Sequence, residues 1–321
     1  MATEMYWAKA QEKREIVEFI DYVFSKAHRP HDFQTLLPKL YGAQGDGAAH
    51  HFVVREEGRI AATVLAYPVV MRMGGVQLTT LGVGSVSTHP AARGRGYMKA
   101  LMDAVDRKAA ELGADFAVLG GLRQRYAYFG YDLGGYSMDA VFTPDNARHA
   151  LRDLQTDAYA VVPMEAAHVP AASALLRAQP CFCERREEAF LDILRSWNNE
   201  PFAVLKDGAF AGYGALRQNP DQCRVAELLL EDEAALPAVM KLLGARHGEM
   251  RLTAAPWQKE RAAWLSSVCE AFSIVPGYNY KIYRQEQVKK ACAALGAEGG
   301  GFGFGGFSLP LPLYVAPPDA V

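Results

Sequence analysis

One stretch limits what this chain can fold into more than any other. An apolar, β-rich run from Leu81 to Thr88 stops at His89-Pro90 and is followed by Ala91-Ala92-Arg93-Gly94-Arg95-Gly96. Proline has no N–H to give to a ladder, so a strand ends there. Apolar residues then recur at Met98, Leu101, Met102, Val105, Ala109 and Leu112, the rhythm of a helix with one buried face. A glycine-rich turn therefore opens a helix directly after a strand. The first amides of a helix lack intrahelical partners and sit at the positive end of its dipole, which suits an anion. Gly94 and Gly96 remove the side chains that would keep a phosphate from those amides, and Arg93, Arg95 and Lys99 add positive charge. The expected guest is a pyrophosphate.

Such a turn also occurs without a ligand, so the residues C-terminal to it carry the decision. The helix is succeeded by a short strand, Asp115 to Leu119, then Gly120-Gly121 and Tyr126-Ala127-Tyr128-Phe129-Gly130-Tyr131. Strand, proline, Arg-x-x-Gly, amphipathic helix, strand and Tyr-x-x-x-Gly-aromatic, in that order, resemble the acyl-CoA-binding core of the GNAT superfamily of N-acetyltransferases. The runs Phe33-Gln34-Thr35-Leu36-Leu37-Pro38-Lys39-Leu40-Tyr41-Gly42 and Gly121-Leu122-Arg123-Gln124-Arg125-Tyr126 are similar to those of a bacterial two-domain group. That group is related to the enhanced intracellular survival aminoglycoside acetyltransferases. Where the superfamily pattern ends in a small residue this chain has Met98, a departure that also resembles the enhanced-survival group.

The resemblance implies acetyl-CoA as cosubstrate, held by Arg93, Gly94, Arg95, Gly96, Tyr97, Met98 and Gly121, with the backbone of Val86, Ser87 and Thr88 pairing with pantetheine. It implies Tyr126 as the catalytic tyrosine. A tyrosine keeps its proton at neutral pH and can give it to a leaving thiolate. Tyr128 and Tyr131 are expected in the core. The helices before Gly42 are expected to wall the acceptor cleft, which makes His28, His31 and Asp32 candidates to meet substrate or simply caps of a helix connection. The general base stays open among water, His31 and the C-terminal carboxylate of Val321, the last implied by the enhanced-survival enzymes. Two further readings remain: an acyl-CoA-binding sensor or scaffold without turnover, and a transferase of another acyl group.

Around this core, 321 residues suit two domains, and half of them are apolar with a formal net charge of −2. No basic excess points to nucleic acid and no polybasic block to a membrane surface. The longest apolar stretch, Ile60 to Met71, is too short to span a bilayer, and the N-terminus lacks a secretory apolar core. The expectation is a cytoplasmic enzyme acting on a primary amine of a small molecule or peptide, with oligomerisation open. Cys181, Cys183, Cys223, Cys269 and Cys292 show no metal-binding spacing, so no metal is expected.

Helices are predicted over residues 11–25 and 33–40, with Asp32 as N-cap of the second, and strands over 52–55, 60–73 and 76–88. Glycine in the Gly82-Val83-Gly84 run suggests a bulge that splays the sheet and leaves ladder groups facing a ligand. A last strand of this copy is expected at 137–142. From Tyr159 the same order recurs: strands at 159–163, 202–206, 210–217, 224–230, 250–254 and 279–284, with helices near 167–177, 186–196, 234–245 and 259–272. The fold class is thus α+β, two tandem GNAT-like domains over 1–145 and 146–285, each a mixed, mostly antiparallel sheet flanked by helices. A Gly/Pro-rich tail over 286–321 completes the chain, part of it docked through its phenylalanines and leucines. The second copy has Leu230-Glu231-Asp232-Glu233 where the first has its arginines and glycines, and carboxylates there repel a pyrophosphate.

Overall fold

The computed structural model describes residues 3–27, 30–219, 222–295 and 319. The described residues fall into two compact units, one of residues 3–134 and 278–295, the other of residues 135–277 and 319. Val321, His28 and the aromatic residues of the expected docking tail lie outside the described residues.

The sheet of the first unit runs Thr3–Trp7, His51–Glu56, Arg59–Met73, Val76–Thr88, Phe116–Leu119, Asn279–Ile282, Asp132–Leu133. Neighbours are antiparallel except Val76–Thr88 and Phe116–Leu119, which run parallel. The helix Tyr97–Leu112 makes the crossover between those two and buries Leu101, Met102, Val105 and Ala109 against Val64, Ala66, Leu81 and Val83. Gly113, at φ 60°, ends it in the left-handed cap that a side chain would strain. The helix Lys13–Ala27 is amphipathic as expected. The predicted second helix is instead two short turns, Phe33–Leu36 and Pro38–Tyr41, because proline disfavours helical backbone at Leu37 before it.

The second unit repeats the order: Tyr159–Pro163, Asn199–Lys206, Ala209–Asn219, Gln222–Leu230, Met250–Ala254, Tyr136–Phe142, Ala271–Pro276. Here the parallel pair is Gln222–Leu230 with Met250–Ala254. Three sequence expectations change. The strand Tyr136–Phe142 pairs with Met250–Ala254 and Ala271–Pro276 in the second sheet, while Asn279–Ile282 pairs with Phe116–Leu119 in the first. The strands are therefore not distributed by a cut at residue 145. The predicted helix 259–272 stops at Val268, and Ala271–Pro276 is a strand whose ladder partner is Tyr136–Phe142. The expected tail begins with a helix, Gln285–Ala294, that buries Val288, Ala291 and Cys292.

Among the described residues no helix is long and apolar enough to cross a membrane.

Candidate active site

Parallel pairing between the fourth and fifth strands stops early. Thr80–Val83 pair with Phe116–Leu119, but beyond Val83 the longer strand goes on paired only to Arg59–Met73. The register there shifts between Thr63 and Leu65, which face Ser87 and Gly84, so Ser85 and Val86 together oppose Val64. This is a β-bulge, and Ser85 carries it at φ 50°. The expected splay is present one step later than the glycines suggested, on a serine. The His89 N–H donates to Ala61 O at 2.8 Å. Strand groups alternate sides, so the N–H and C=O groups of Thr88 and Val86 point the other way, toward the side where the parallel neighbour has ended. Ser87 is turned inward: it is buried, and its Oγ donates to Ser85 O at 3.0 Å.

The helix start lies at the same end of the parallel pair, because it follows directly from the strand's C-terminus. Gly94 and Gly96 both have left-handed backbone, φ 79° and 80°, and a Cβ on either would meet no heavy atom within 4 Å. Gly96 is the N-cap, no side chain caps the helix, and its first turn holds no carboxylate. The amides of Tyr97 and Met98 are thus the open, positive end of a sixteen-residue helix. Met98 is half-buried against the core.

The cations around this turn divide. Arg95 donates through Nη1 to both oxygens of Glu56, at 2.7 and 2.6 Å, and through Nη2 to Ala91 O at 3.2 Å. The Tyr97 hydroxyl donates to the same Glu56. Those two hydrogen bonds, Tyr97's first and then Arg95's, hold the Glu56 carboxyl below its usual range. Arg95 and Tyr97 therefore fasten the turn to the second strand. Arg93 and Lys99 are exposed, and among the described residues no carboxylate pairs with either. The sequence offered no sign of Glu56, which is some 40 residues away in the chain.

Tyr126 lies on the short helix Arg123–Ala127 that follows Gly120-Gly121. It is 7 % exposed, its ring packs edge-on against Tyr131 at 6.4 Å, and a Cβ on Gly121 would sit 3.2 Å from its ring. Burial pushes its hydroxyl above the ordinary tyrosine pKa, against an opposing pull from Arg125, so it is protonated at neutral pH. Tyr131 is buried as expected, but Tyr128 is 82 % exposed. Two residues along a helical turn is about 200° of rotation, which puts Tyr128 opposite Tyr126. Asn279, 2 % exposed and missed from sequence, donates from Nδ2 to Gly121 O at 3.1 Å and pins the break before Tyr126.

On the segment before Gly42, Asp32 is occupied as the expected N-cap, accepting from the N–H of Thr35 at 3.1 Å and from its Oγ1 at 2.7 Å. His31 stacks on Phe33 at 5.4 Å. Among the described residues no group of three His, Cys, Asp or Glu is arranged to hold a metal.

The second unit fills the equivalent places. Its sheet also bulges, between Ala215 and Leu216, and its parallel pairing ends at Val225. The space beyond is lined by Arg185, Glu227, Thr253, Gln258 and Asp319, and only about 60 Å³ is left. Arg185 spans Glu227, at 2.8 and 2.6 Å, and Asp319, at 2.8 and 2.8 Å. At the helix start Asp232 accepts from the Ala234 N–H at 2.9 Å, and Glu233 is paired to the buried Arg261. Carboxylates thus occupy the anion position.

The family profile of an acetyltransferase (GNAT) domain matches residues 6–134. Among the curated proteins there is no match. Solved structures match over most of the chain. A conserved protein of Enterococcus faecalis V583, described as a probable N-acyltransferase, is 15 % identical with TM-score 0.70, covering 90 % of this chain and 75 % of its own. A GCN5-related N-acetyltransferase from Kribbella flavida is 16 % identical with TM-score 0.67, covering 90 % and 74 %. Eis1 from Mycobacterium abscessus is 16 % identical with TM-score 0.61, covering 90 % and 76 %. A yeast (Saccharomyces cerevisiae) N-myristoyltransferase with bound myristoyl-CoA is 10 % identical with TM-score 0.55, covering 88 % and 80 %. At these identities the likeness is one of fold.

Proposed function

With a GNAT acetyltransferase domain in this chain as the premise, we propose that the protein transfers an acetyl group from acetyl-CoA to a primary amine of a small molecule or peptide, by direct attack. The observation that carries this reading is the meeting of a splayed strand and an uncapped helix start at one end of the parallel pair. The amides from Gly94 to Met98 take the pyrophosphate, with Arg93 as the cation beside them, while Arg95 and Tyr97 hold the turn through Glu56. Pantetheine adds to the free side of Val86 and Thr88 as a further strand would. Gly121 lets the thioester pass close to the chain in front of Tyr126.

The amine nitrogen attacks the thioester carbonyl carbon, and the N–C bond forms as the C–S bond breaks. Backbone amides of the splayed strand stabilise the oxyanion. The departing sulfur takes the Tyr126 proton, and the amine's surplus proton leaves to a base. Water, His31 and the Val321 carboxylate are the candidates for that base. The bound myristoyl-CoA of the yeast structure belongs to that protein, and it is the reason to include longer acyl-CoA donors in any screen.

Calorimetric titration of the full chain with acetyl-CoA should give one site, since Arg185, Asp232 and Glu233 obstruct the second unit. Thiol release should then appear on screening amines, aminoglycosides and peptides. Binding without release for every amine would favour the sensor reading, and two equivalent sites would refute the assignment of the second unit.

The helix start has its own test. Asparagine and aspartate are isosteric and meet the same strain at the left-handed Gly96. Gly96→Asp should bind acetyl-CoA roughly tenfold or more weakly than Gly96→Asn, because only the former sets a charge against phosphate. Equal affinities would move the pyrophosphate elsewhere.

A further inference from the structure

A buried polar chain ends on the bulge. His51 is fully buried; its Nδ1 lies 2.9 Å from Thr63 Oγ1 and its Nε2 2.8 Å from the Tyr41 hydroxyl. The Tyr41 hydroxyl lies 3.3 Å from Ser85 Oγ. The direction of each bond comes from counting protons. Thr63 Oγ1 donates to Phe52 O at 3.0 Å, which uses its one hydrogen, so it accepts from Nδ1–H of His51. Burial lowers the His51 pKa to about 3, so the ring is neutral and Nε2 is an acceptor. Tyr41 must therefore donate to Nε2, and Ser85 O–H donates to the Tyr41 oxygen. With its own proton committed to Nε2, the Tyr41 oxygen is left as an acceptor for the serine.

Ser85 needs one. Its φ of 50° is a conformation that residues with a Cβ avoid. After it, Val86 and Thr88 offer their N–H and C=O groups on the open side of the sheet. If Ser85 relaxed to negative φ, the bulge would rearrange and turn those groups. We propose that Tyr41, His51 and Thr63 are positioning residues that hold Ser85 in its left-handed bulge, and through it aim the strand edge at the acyl donor. The inference rests on the coenzyme reading above. It also links the segment before Gly42 to coenzyme binding, although Tyr41 touches no part of the proposed coenzyme path.

Glycine adopts the left-handed conformation without help, which gives the test its logic. Tyr41→Phe and Ser85→Ala should each weaken acetyl-CoA binding by roughly tenfold, the scale of a left-handed residue left unsupported. Ser85→Gly should weaken it less than Ser85→Ala. Added to Ser85→Gly, the Tyr41→Phe change should cost no further affinity, although it still lowers thermal stability by orphaning His51 Nε2. Equal affinity losses from Tyr41→Phe in both backgrounds, or none in either, would mean that the network only supports the core. A second readout needs no ligand. The Cα and Cβ chemical shifts of Ser85 in the free protein should report left-handed backbone in the wild type and lose it in Tyr41→Phe. Unchanged shifts in the variant overturn the inference alone. Left-handed shifts in a wild-type chain that takes up no acetyl-CoA overturn the coenzyme reading beneath it.

Discussion

Replacing Tyr126 by phenylalanine should lower turnover by about 10²–10⁴-fold, the range for removing a general acid, while acetyl-CoA affinity barely changes. The ring is what packs: it meets Tyr131 and fills the space beside Gly121, and phenylalanine keeps it. The hydroxyl is what the proposed mechanism uses, and burial raises its pKa above the ordinary tyrosine value, so it keeps its proton at neutral pH. A tyrosine present only for packing would give the opposite pattern, near-normal turnover with a stability loss of about 1 kcal/mol from one hydrogen bond. Turnover and unfolding measured on the same variant separate the two. Near-normal turnover would remove Tyr126 from the chemistry.

The largest stability effect is expected far from that site, at Arg185. Its side chain has no solvent exposure and bridges two carboxylates, on Glu227 and Asp319, whose side chains are 6 % and 7 % exposed. Arg185→Ala leaves both without a counter-charge in a place water barely reaches, which costs about 3–5 kcal/mol. Denaturant unfolding should show the loss in the second unit. Replacing all three residues by apolar ones of similar size should recover much of it, because the cost comes from stranded charge and not from the absence of a salt bridge. A change within about 1 kcal/mol for Arg185→Ala would show that the carboxylates find water or protons easily, against the packing described.

The proposed roles of the two units come from what occupies each splay. In the first, the bulge residue is a serine and the helix start carries no carboxylate. In the second, an arginine with two carboxylates takes the space between the strands and Asp232 takes the helix amides. A repeated backbone thus leads to opposite expectations for an anionic ligand, and the difference lies in a handful of side chains.

Local pattern was enough for many of the elements, though not for the strand Ala271–Pro276 or the helix Gln285–Ala294. The apolar strand runs at 60–73 and 76–88, the helical period after Gly96, the Asp32 cap and the stop at Pro90 are all encoded within a few residues of where they act, and each appears in the structure. The acidic helix start of the second copy was legible for the same reason. Pairing was not. The sequence marks 137–142 and 279–284 as strands, but the sheet each joins is set by partners more than 100 residues distant for both, Met250–Ala254 and Phe116–Leu119. Arg95 reads as a phosphate ligand, and only the fold brings Glu56 to it from the second strand; Ser85 reads as ordinary strand, and only the fold brings Tyr41, itself bonded to His51, against it. Periodicity records which face of an element is buried. What meets that face depends on side chains brought together only when the chain closes, and that is where the pinned bulge, the clasped turn and the buried arginine were decided.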